Sequence, residues 1–431
     1  MQRFNTSQPA PEAPSLASRL GPGLITGAAD DDPSGIATYS QAGSQFRFGL
    51  VWTLLLTTPL MIGIQMLSAR IGWVTGEGLA ANIAKVCPRW LTLTLMSLLV
   101  LANTINIAAD VGAMAEAARL LLHGPRTAWL LGFGVACVLG QVFFSYERSV
   151  RILKWLTLAL FAYVAVVMAV HVPFERLTSE SLQPWRHLPP GMPLSSYASM
   201  VVAVLGTTIS PYLFFWQAAQ EVEDSARRPG AAELREHPAY AQEHLFRIKQ
   251  DTYIGMIFSN VIALCIVVAT AVTLNLNGVT NIQTSSQAAE ALRPVAGELA
   301  FAVFALGIIG TGLLAVPVLA GSAAYAVSEV FGWKSGLSRG FQEANGFYGI
   351  IVAATGIGTL VSFSELDPIK ALVWSAIVNG VISVPIMVVM MWIGQSPRIM
   401  GTLTMSRRHR FFGWAATGVM AVAVAVMCVT N

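Results

Sequence analysis

Long apolar blocks separated by short polar segments run along almost the whole chain. Each block has about twenty residues, the length that a helix needs to cross about 30 Å of hydrocarbon. Lipid offers no partners to backbone polar groups, so blocks of this length are expected to be α-helices. The pattern predicts an all-α polytopic membrane protein with eleven transmembrane helices. The expected spans are about residues 20–45, 48–69, 91–121, 127–146, 150–172, 194–220, 250–275, 296–331, 345–363, 369–394 and 411–430.

The composition excludes a soluble protein. Of 431 residues, 55% are hydrophobic and 11% are charged, against about 25% charged in an ordinary soluble domain. A soluble globule of this size could not bury so much apolar surface in one core. The net charge of +3 is too small to indicate a nucleic-acid partner. The expected partner is the lipid bilayer; the oligomeric state stays open, and a monomer is compatible with the sequence.

The chain is expected to form a single transmembrane domain at residues 19–431. Residues 1–18 are rich in Pro, Ser, Ala and Gln and lack the apolar core of a signal peptide, which predicts a disordered cytoplasmic tail. The polar stretch at about 221–250 is interpreted as a cytoplasmic loop with room for an amphipathic helix, and its charged residues as a solvated surface rather than a regulatory site. The four scattered cysteines indicate neither disulfides nor zinc, and no cofactor is predicted.

Positive charge predicts the orientation. If the N-terminus is cytoplasmic, most of the 26 Lys and Arg residues lie on the cytoplasmic side of the expected spans. Cytoplasmic loops of membrane proteins carry this excess. We therefore expect a plasma (inner) membrane protein with a cytoplasmic N-terminus and an extracytoplasmic C-terminus.

Three consecutive aspartates, at 30–32, interrupt the first span and are followed by Pro33 and Gly35. Proline removes a backbone donor and glycine tolerates open geometries, so the helix is expected to unwind here. A carboxylate inside a membrane is costly, which makes it a candidate functional residue. The alternative is a solvated loop between two surface helices, but each flank is too short to span alone.

The sixth span carries a second interruption, where Gly206 and Pro211 bracket hydroxyl residues. Alone, this would be an ordinary proline kink. The first and sixth spans, however, open two successive sets of five, and broken helices at corresponding positions indicate a transporter's substrate site. The pairing predicts an inverted-repeat fold with the site near the bilayer midplane. Repeat one covers about 19–172, repeat two about 194–394, and one additional helix about 411–430.

At these interruptions the sequence resembles the Nramp family of divalent metal transporters. Residues 32–35, Asp-Pro-Ser-Gly, stand where that family has Asp-Pro-Gly-Asn. Residues 210–212, Ser-Pro-Tyr, stand where it has Met-Pro-His, with Thr207 in place of an Ala. Residues 67–76 look like the end of the family's second helix, Ala-Arg-Leu-Gly followed by Val-Thr-Gly. The resemblance covers about ten helices and implies the LeuT-type fold.

The resemblance also implies metal ligands, carried over by position as Asp32, Gly35, Ser210 and the carbonyl of Thr207. Gly35 lacks the amide oxygen of the family's Asn, and Ser210 replaces a soft thioether with a small hard hydroxyl. Oxygen ligands suit Mg²⁺, and smaller side chains leave room for the waters that this ion keeps. These departures resemble the Nramp-related magnesium transporter branch.

The family's proton route is interpreted as broken. Its helix 6 His is Tyr212 here, and its helix 3 Asp is kept as Asp110, but the Glu three residues later is Ala113. The nearest acid, Glu116, is rotated by about 240° from Asp110. Asp110 either tunes the site electrostatically or satisfies a neighbouring polar group.

Three more residues are candidates for the transport path. Asp31, beside Asp30, would attract hydrated cations toward Asp32. Gln217 and Asn379 lie on the sixth and tenth helices, where each either contacts the ion's water shell or bridges helices.

The sequence therefore predicts an uptake carrier for divalent metal ions and not an enzyme. The expected ion is Mg²⁺, with Mn²⁺ also carried, bound largely hydrated and without proton coupling. One alternative is a proton-coupled Mn²⁺/Fe²⁺ importer with Asn379 as a compensating ligand, and another is an organic-solute symporter for amines. An intramembrane aspartyl protease needs two aspartates sharing a proton, and neither Asp32 nor Asp110 has the sequence context of those enzymes.

Overall fold

The structure, a computed structural model, describes residues 22–143, 157–184, 191–226, 238–364 and 367–430. Within these ranges the protein is helical and has no β-strand, which confirms the all-α class. The tail predicted at 1–18 and the start of the expected fifth span lie outside the described residues.

Long apolar helices alternate with short connecting helices and 3-10 turns. The α-helices are α1 (Pro22–Asp30), α2 (Pro33–Phe46), α3 (Val51–Thr75), α4 (Leu79–Val86), α5 (Arg89–Leu122), α6 (Arg126–Phe143), α7 (Phe161–Ala169), α8 (Phe174–Leu182), α9 (Leu194–Thr208), α10 (Pro211–Ala226), α11 (Pro238–Thr273), α12 (Ser285–Ala289), α13 (Arg293–Ala296), α14 (Ala300–Phe331), α15 (Asn345–Val361), α16 (Pro368–Gln395), α17 (Pro397–Met400) and α18 (Arg407–Thr430). The 3-10 turns are Thr157–Leu160, Asn275–Asn277, Glu290–Leu292 and Gly297–Leu299.

Eight of the described helical segments are long and apolar enough to cross a membrane, and each falls on one of the expected spans. The first expected span is divided into α1 and α2, and the ninth is the shorter apolar α15. The fifth is described from residue 157 onward, and a bend of 111° separates Leu158–Ala169 from α8, which follows it. The chain is a multi-pass membrane protein.

The helix order gives two sets of five spans, opened by the broken pairs α1–α2 and α9–α10. The packing of the two sets corresponds: α10 packs on α3 as its counterpart α2 packs on α11, and α5 packs on its counterpart α14. The last helix, α18, lies outside this scheme and packs on α3, α9 and α16. This is the predicted five-plus-five inverted repeat with one additional C-terminal helix.

Glycines allow the broken helices to approach their partners closely. A Cβ on Gly27 of α1 would be 2.3 Å from the carbonyl oxygen of Gly255 in α11. At the other broken helix, a Cβ on Gly72 of α3 would be 2.3 Å from the carbonyl oxygen of Ala218 in α10. Side chains are excluded at both contacts, which is how small residues bring membrane helices together. The first contact involves the first half of one broken helix, and the second contact involves the second half of the other.

Helices α10 and α11 occupy most of the polar stretch at 221–250, where the sequence allowed an amphipathic helix, but two of its polar side chains are not solvated as we expected. Glu221 is buried and accepts a 2.9 Å hydrogen bond from Arg247. The ring of His244 is also buried and stacks on Trp73, with centroids 4.7 Å apart. Ion pairing and ring stacking let these polar side chains pack between helix ends. Residues 227–237 lie outside the described residues.

Candidate ion-binding site

Asp32 lies in the interruption of the first span and caps the helix that follows. Its backbone is extended, with φ −71° and ψ 171°, and Pro33 is the first residue of α2. An Asp followed by Pro at the first helical position is a preferred helix start. The Oδ1 atom of Asp32 accepts a 2.6 Å hydrogen bond from the backbone N–H of Gly35. The local sequence therefore begins α2 and orients the carboxylate.

The second carboxylate oxygen of Asp32 faces two other helices. Asn106 of α5 donates a 3.1 Å hydrogen bond to Oδ2. The hydroxyl of Tyr212, in the first turn of α10, is 3.5 Å from the same oxygen and 3.2 Å from the carbonyl oxygen of Ala29. Asp32 is buried and is absent from the ion pairs among the described residues. A buried carboxylate in this position favours binding of a cation.

Ser210 lies in the second interruption, between α9 and α10. Its Oγ is 2.7 Å from the carbonyl oxygen of Gly206 and 2.9 Å from that of Thr207, so the hydroxyl donates to the last turn of α9. The lone pairs of that hydroxyl oxygen remain able to accept a hydrogen bond or to bind a cation.

The two interruptions lie against each other. A Cβ on Gly35 would be 3.3 Å from Oγ1 of Thr207 and 3.2 Å from the carbonyl oxygen of Asp30. Helices α1 and α9 both end at this junction, and the partial negative charge of helix C-termini attracts cations. The structure therefore brings together all four residues that the resemblance implied. These residues are Asp32, Gly35, Thr207 and Ser210, and their role as metal ligands remains a prediction.

Asp31 and Asp110 are buried beside this junction. The Oδ1 atom of Asp31 is 3.1 Å from Oγ of Ser259 in α11. Among the described residues, neither carboxylate oxygen of Asp110 has a partner at hydrogen-bond geometry. Asp110 follows Asn106 by one turn of α5 and lies close enough to Asp32 for the two carboxylates to repel each other. This arrangement favours the electrostatic role for Asp110.

The other two predicted path residues have different surroundings. Gln217 bridges helices, because Gln65 of α3 donates to its Oε1 at 2.6 Å and its Nε2 donates to Oγ1 of Thr252 in α11 at 3.0 Å. The side chain of Asn379 is fully buried, and neither of its polar atoms has a hydrogen-bond partner among the described residues. Asn379 is therefore the better candidate for contact with the ion or its water.

Sequence reasoning missed Asn106 and Ser375. The Oγ of Ser375 in α16 donates a 2.8 Å hydrogen bond to Oδ1 of Asn106, which turns the NH₂ group of that amide toward Asp32. A signal for Asn106 was present, since Asn103, Asn106 and Asp110 recur at spacings of three and four within an apolar helix. The sequence carries no such signal for Ser375, because a serine in a helix commonly forms a hydrogen bond only to its own preceding turn.

Comparison with solved structures identifies the fold. A structure of the Eremococcus coleocola manganese transporter aligns with 99% of this chain and 89% of its own, with a TM-score of 0.72 and 15% identity. MhsT in complex with L-phenylalanine aligns with 96% of this chain and 98% of its own, with a TM-score of 0.61 and 14% identity. These likenesses show the fold, which is the LeuT-type fold of membrane transporters.

Sequence comparison gives the family. The family model described as "Natural resistance-associated macrophage protein-like" matches residues 23–430. The chain belongs to the Nramp family. It is 27% identical to the divalent metal cation transporter MntH of Aeromonas hydrophila over 348 residues, which are 79% of this chain and 80% of the relative. It is 28% identical to MntH of Yersinia pestis over 301 residues, which are 69% of each chain.

Proposed function

We propose that this protein carries divalent metal ions across the plasma (inner) membrane and that its principal ion is Mg²⁺, with Mn²⁺ also transported. The observation that carries the proposal is the buried carboxylate of Asp32 at the junction of two broken helices. Asn106, Tyr212 and the N–H of Gly35 surround that carboxylate. The MntH relatives, named as divalent metal cation transporters, support the substrate class.

The preference for Mg²⁺ rests on the chemistry of the proposed ligands. Asp32 offers carboxylate oxygen, Ser210 a hydroxyl, and the last turn of α9 backbone carbonyls. These are hard oxygen ligands, which suit Mg²⁺ better than softer transition metals. Few protein ligands leave coordination positions to water, and Mg²⁺ dehydrates reluctantly. The proposal therefore places the chain in the Nramp-related magnesium transporter branch.

The membrane potential would be sufficient to drive uptake. A divalent cation that moves inward down 100 mV releases about 4.6 kcal/mol, twice the value for a single charge. Tyr212 replaces the family's histidine, and Ala113 replaces its acid. Glu116 pairs instead with Arg119 and Arg126, each at 3.1 Å. The N-terminus would be cytoplasmic and the C-terminus extracytoplasmic, in keeping with the distribution of positive charge.

A proton-coupled Mn²⁺/Fe²⁺ importer is the second candidate, and Asn379 is the observation that favours it. Its neighbour Gly380 packs on α9, because a Cβ on Gly206 would be 2.6 Å from the backbone nitrogen of Gly380. The unpartnered amide of Asn379 is thus held next to the broken sixth span. An amide oxygen there would replace the one that is missing at Gly35.

Uptake into proteoliposomes, with internal pH recorded, separates the two candidates. We expect Mg²⁺ uptake that is lost in Asp32→Ala, kept in the exposed control Glu298→Gln, and not accompanied by acidification. Uptake of Mn²⁺ with acidification, no competition by Mg²⁺ and loss in Asn379→Ala would establish the second candidate instead. Absence of any metal uptake by the unmodified protein would refute both.

A further inference from the structure

Asp30 and Asp31 face a different helix from Asp32. The Oγ of Ser259 in α11 is 2.6 Å from Oδ2 of Asp30 and 3.1 Å from Oδ1 of Asp31. The carboxylate of Asp32, by contrast, contacts Asn106 of α5 and faces α10. Three consecutive residues therefore present two separate groups of carboxylate oxygens, one toward α11 and one toward α5 and α10.

The pair next to Ser259 lacks partners for its charge. Asp30 is 0% exposed and Asp31 is 1% exposed. Oδ1 of Asp30 and Oδ2 of Asp31 have no hydrogen-bond partner among the described residues. Neither aspartate takes part in the ion pairs found in that part of the chain. Carboxylates buried in this way are strongly unfavourable unless a cation compensates them.

Two further features favour a cation at the same place. Helix α1 ends at Asp30 and has no basic residue in its last turn, so the partial negative charge of its C-terminal carbonyls is uncompensated. The hydroxyl of Ser259 lies within 3.1 Å of both carboxylates and offers a further oxygen. Two carboxylates, a helix C-terminus and this hydroxyl make an oxygen-rich surrounding of net negative charge.

The charge and ligand type select the kind of cation. Two carboxylates carry two negative charges, which one divalent ion balances and one monovalent ion leaves half compensated. Carboxylate and hydroxyl oxygens are ligands for hard cations such as Mg²⁺ and Mn²⁺. No thiol or imidazole contributes to the contacts of this pair that the structure describes.

We propose that Asp30, Asp31 and Ser259 form a second site for a hard divalent cation, separate from the site at Asp32. The inference deepens the proposed function and rests on it, because the second ion belongs to the class that the chain would transport. The second site lies on the α1 side of the interruption. An ion leaving Asp32 along α1 would then meet the carboxylates of Asp30 and Asp31 before it reaches the surface.

Counting bound ions tests the proposal directly. The purified full chain in detergent would be equilibrated with Mn²⁺ alone by dialysis, and bound Mn²⁺ counted per chain. We expect two bound ions in the unmodified protein and one in each of two variants, the double variant Asp30→Asn/Asp31→Asn and the single variant Asp32→Asn. Ser259→Ala should weaken the binding of the second Mn²⁺ about tenfold, whereas Ser383→Ala should leave its affinity unchanged. Ser383 is a buried serine that donates a 2.8 Å hydrogen bond to the carbonyl oxygen of Gly380 and contacts neither aspartate.

The outcomes separate this proposal from the proposed function. One ion per unmodified chain, lost in Asp32→Asn and kept in the double variant, would overturn the second site and leave the transporter proposal intact. Displacement of the second Mn²⁺ by millimolar Na⁺ would show a monovalent site and would also overturn it. No bound Mn²⁺ in the unmodified chain would refute the proposed function itself. Retention of one ion by the double variant shows that it is folded.

Discussion

The amide of Asn106 donates a 3.1 Å hydrogen bond to Oδ2 of Asp32, and the orientation of that amide is set from the opposite side. Its oxygen accepts a 2.8 Å hydrogen bond from Ser375, whose Oγ in turn lies 3.4 Å from that of Ser34. Asn106 and Ser375 belong to different repeats, so residues of both repeats orient the carboxylate of Asp32.

Removing this amide should weaken ion binding without unfolding the chain. In Asn106→Leu, Asp32 loses a hydrogen bond to a charged group, which is worth about 1.5–3 kcal/mol. We expect the KM for Mg²⁺ uptake to rise at least about tenfold. Asn103→Leu is the matched control, because Asn103 on the same helix contacts Leu319 and Ser322 instead. Equal KM values in both variants would show that Asn106 does not contribute to ion binding.

A thioether at position 210 should change the selectivity. In Ser210→Met a soft ligand replaces a hard one. The uptake of Cd²⁺ and Mn²⁺ relative to that of Mg²⁺ is therefore expected to rise about tenfold when the ions compete. Ser210→Ala removes the hydroxyl without adding sulfur and should lower Mg²⁺ uptake with no gain for Cd²⁺. If the alanine variant gains Cd²⁺ uptake as well, the hydroxyl does not determine selectivity.

Gln217 should contribute to stability and not to selectivity. In Gln217→Ala, Gln65 and Thr252 each lose a buried hydrogen bond, which costs about 1–3 kcal/mol. We expect a melting temperature in detergent that is lower by a few degrees and an unchanged ratio of Mg²⁺ to Mn²⁺ uptake. Gln220→Ala, a half-buried glutamine of the same helix, is the control. A changed ion ratio would instead indicate contact with the ion's water shell.

The contact between α1 and α11 should control access to the site. An alanine at Gly27 would place its Cβ 2.3 Å from the carbonyl oxygen of Gly255, so α1 is expected to move away from α11. In Gly27→Ala, uptake should be lost, while a cysteine introduced at Ser259 should react with a polar maleimide that the parent protein excludes. Gly349→Ala is the control, since no atom lies within 4 Å of the added Cβ. Unchanged labelling in Gly27→Ala would show that α1 does not move in this way.

Glu116 should be dispensable for transport. It lies at the protein surface, paired with Arg119 and Arg126, and exposed ion pairs contribute at most about 1 kcal/mol. In Glu116→Gln, Mg²⁺ uptake is expected within about twofold of the unmodified rate, with no change in internal pH. A tenfold loss of uptake, or loss of an accompanying proton flux, would assign Glu116 to a proton route.

The sequence predicted the fold well because its signals are local. Apolar length placed the spans, and Pro33 and Pro211 marked both breaks, since proline acts on the backbone wherever it stands. The solvated surface expected at 221–250 was wrong at two residues for the opposite reason. Glu221 and His244 look solvated in sequence, and their burial depends on Arg247 and Trp73, which only the fold brings to them.

The candidate site was predictable where one residue type dictates the chemistry. Three aspartates within an apolar span are costly whatever surrounds them, so the region around Asp32 could be identified from sequence. Asn106, Ser375 and Ser259 could not, because each is ordinary in a helix and gains its importance from a partner in another one. Gln217 and Asn379 are both polar residues in apolar helices, and the structure alone separates a bridged amide from an unpartnered one.

The contacts of α1 have a consequence for biosynthesis. Gly23 pairs with Asp251 and Asp30 with Ser259, partners that are 228 and 229 residues distant in the chain. At about 5–20 residues per second, the ribosome needs roughly 10–45 seconds to make that distance. During this time Asp30 and Asp31 would enter the bilayer without Ser259, their partner on α11, which is unfavourable. The nascent first repeat is therefore the stage at which we expect an insertase or chaperone to be most needed.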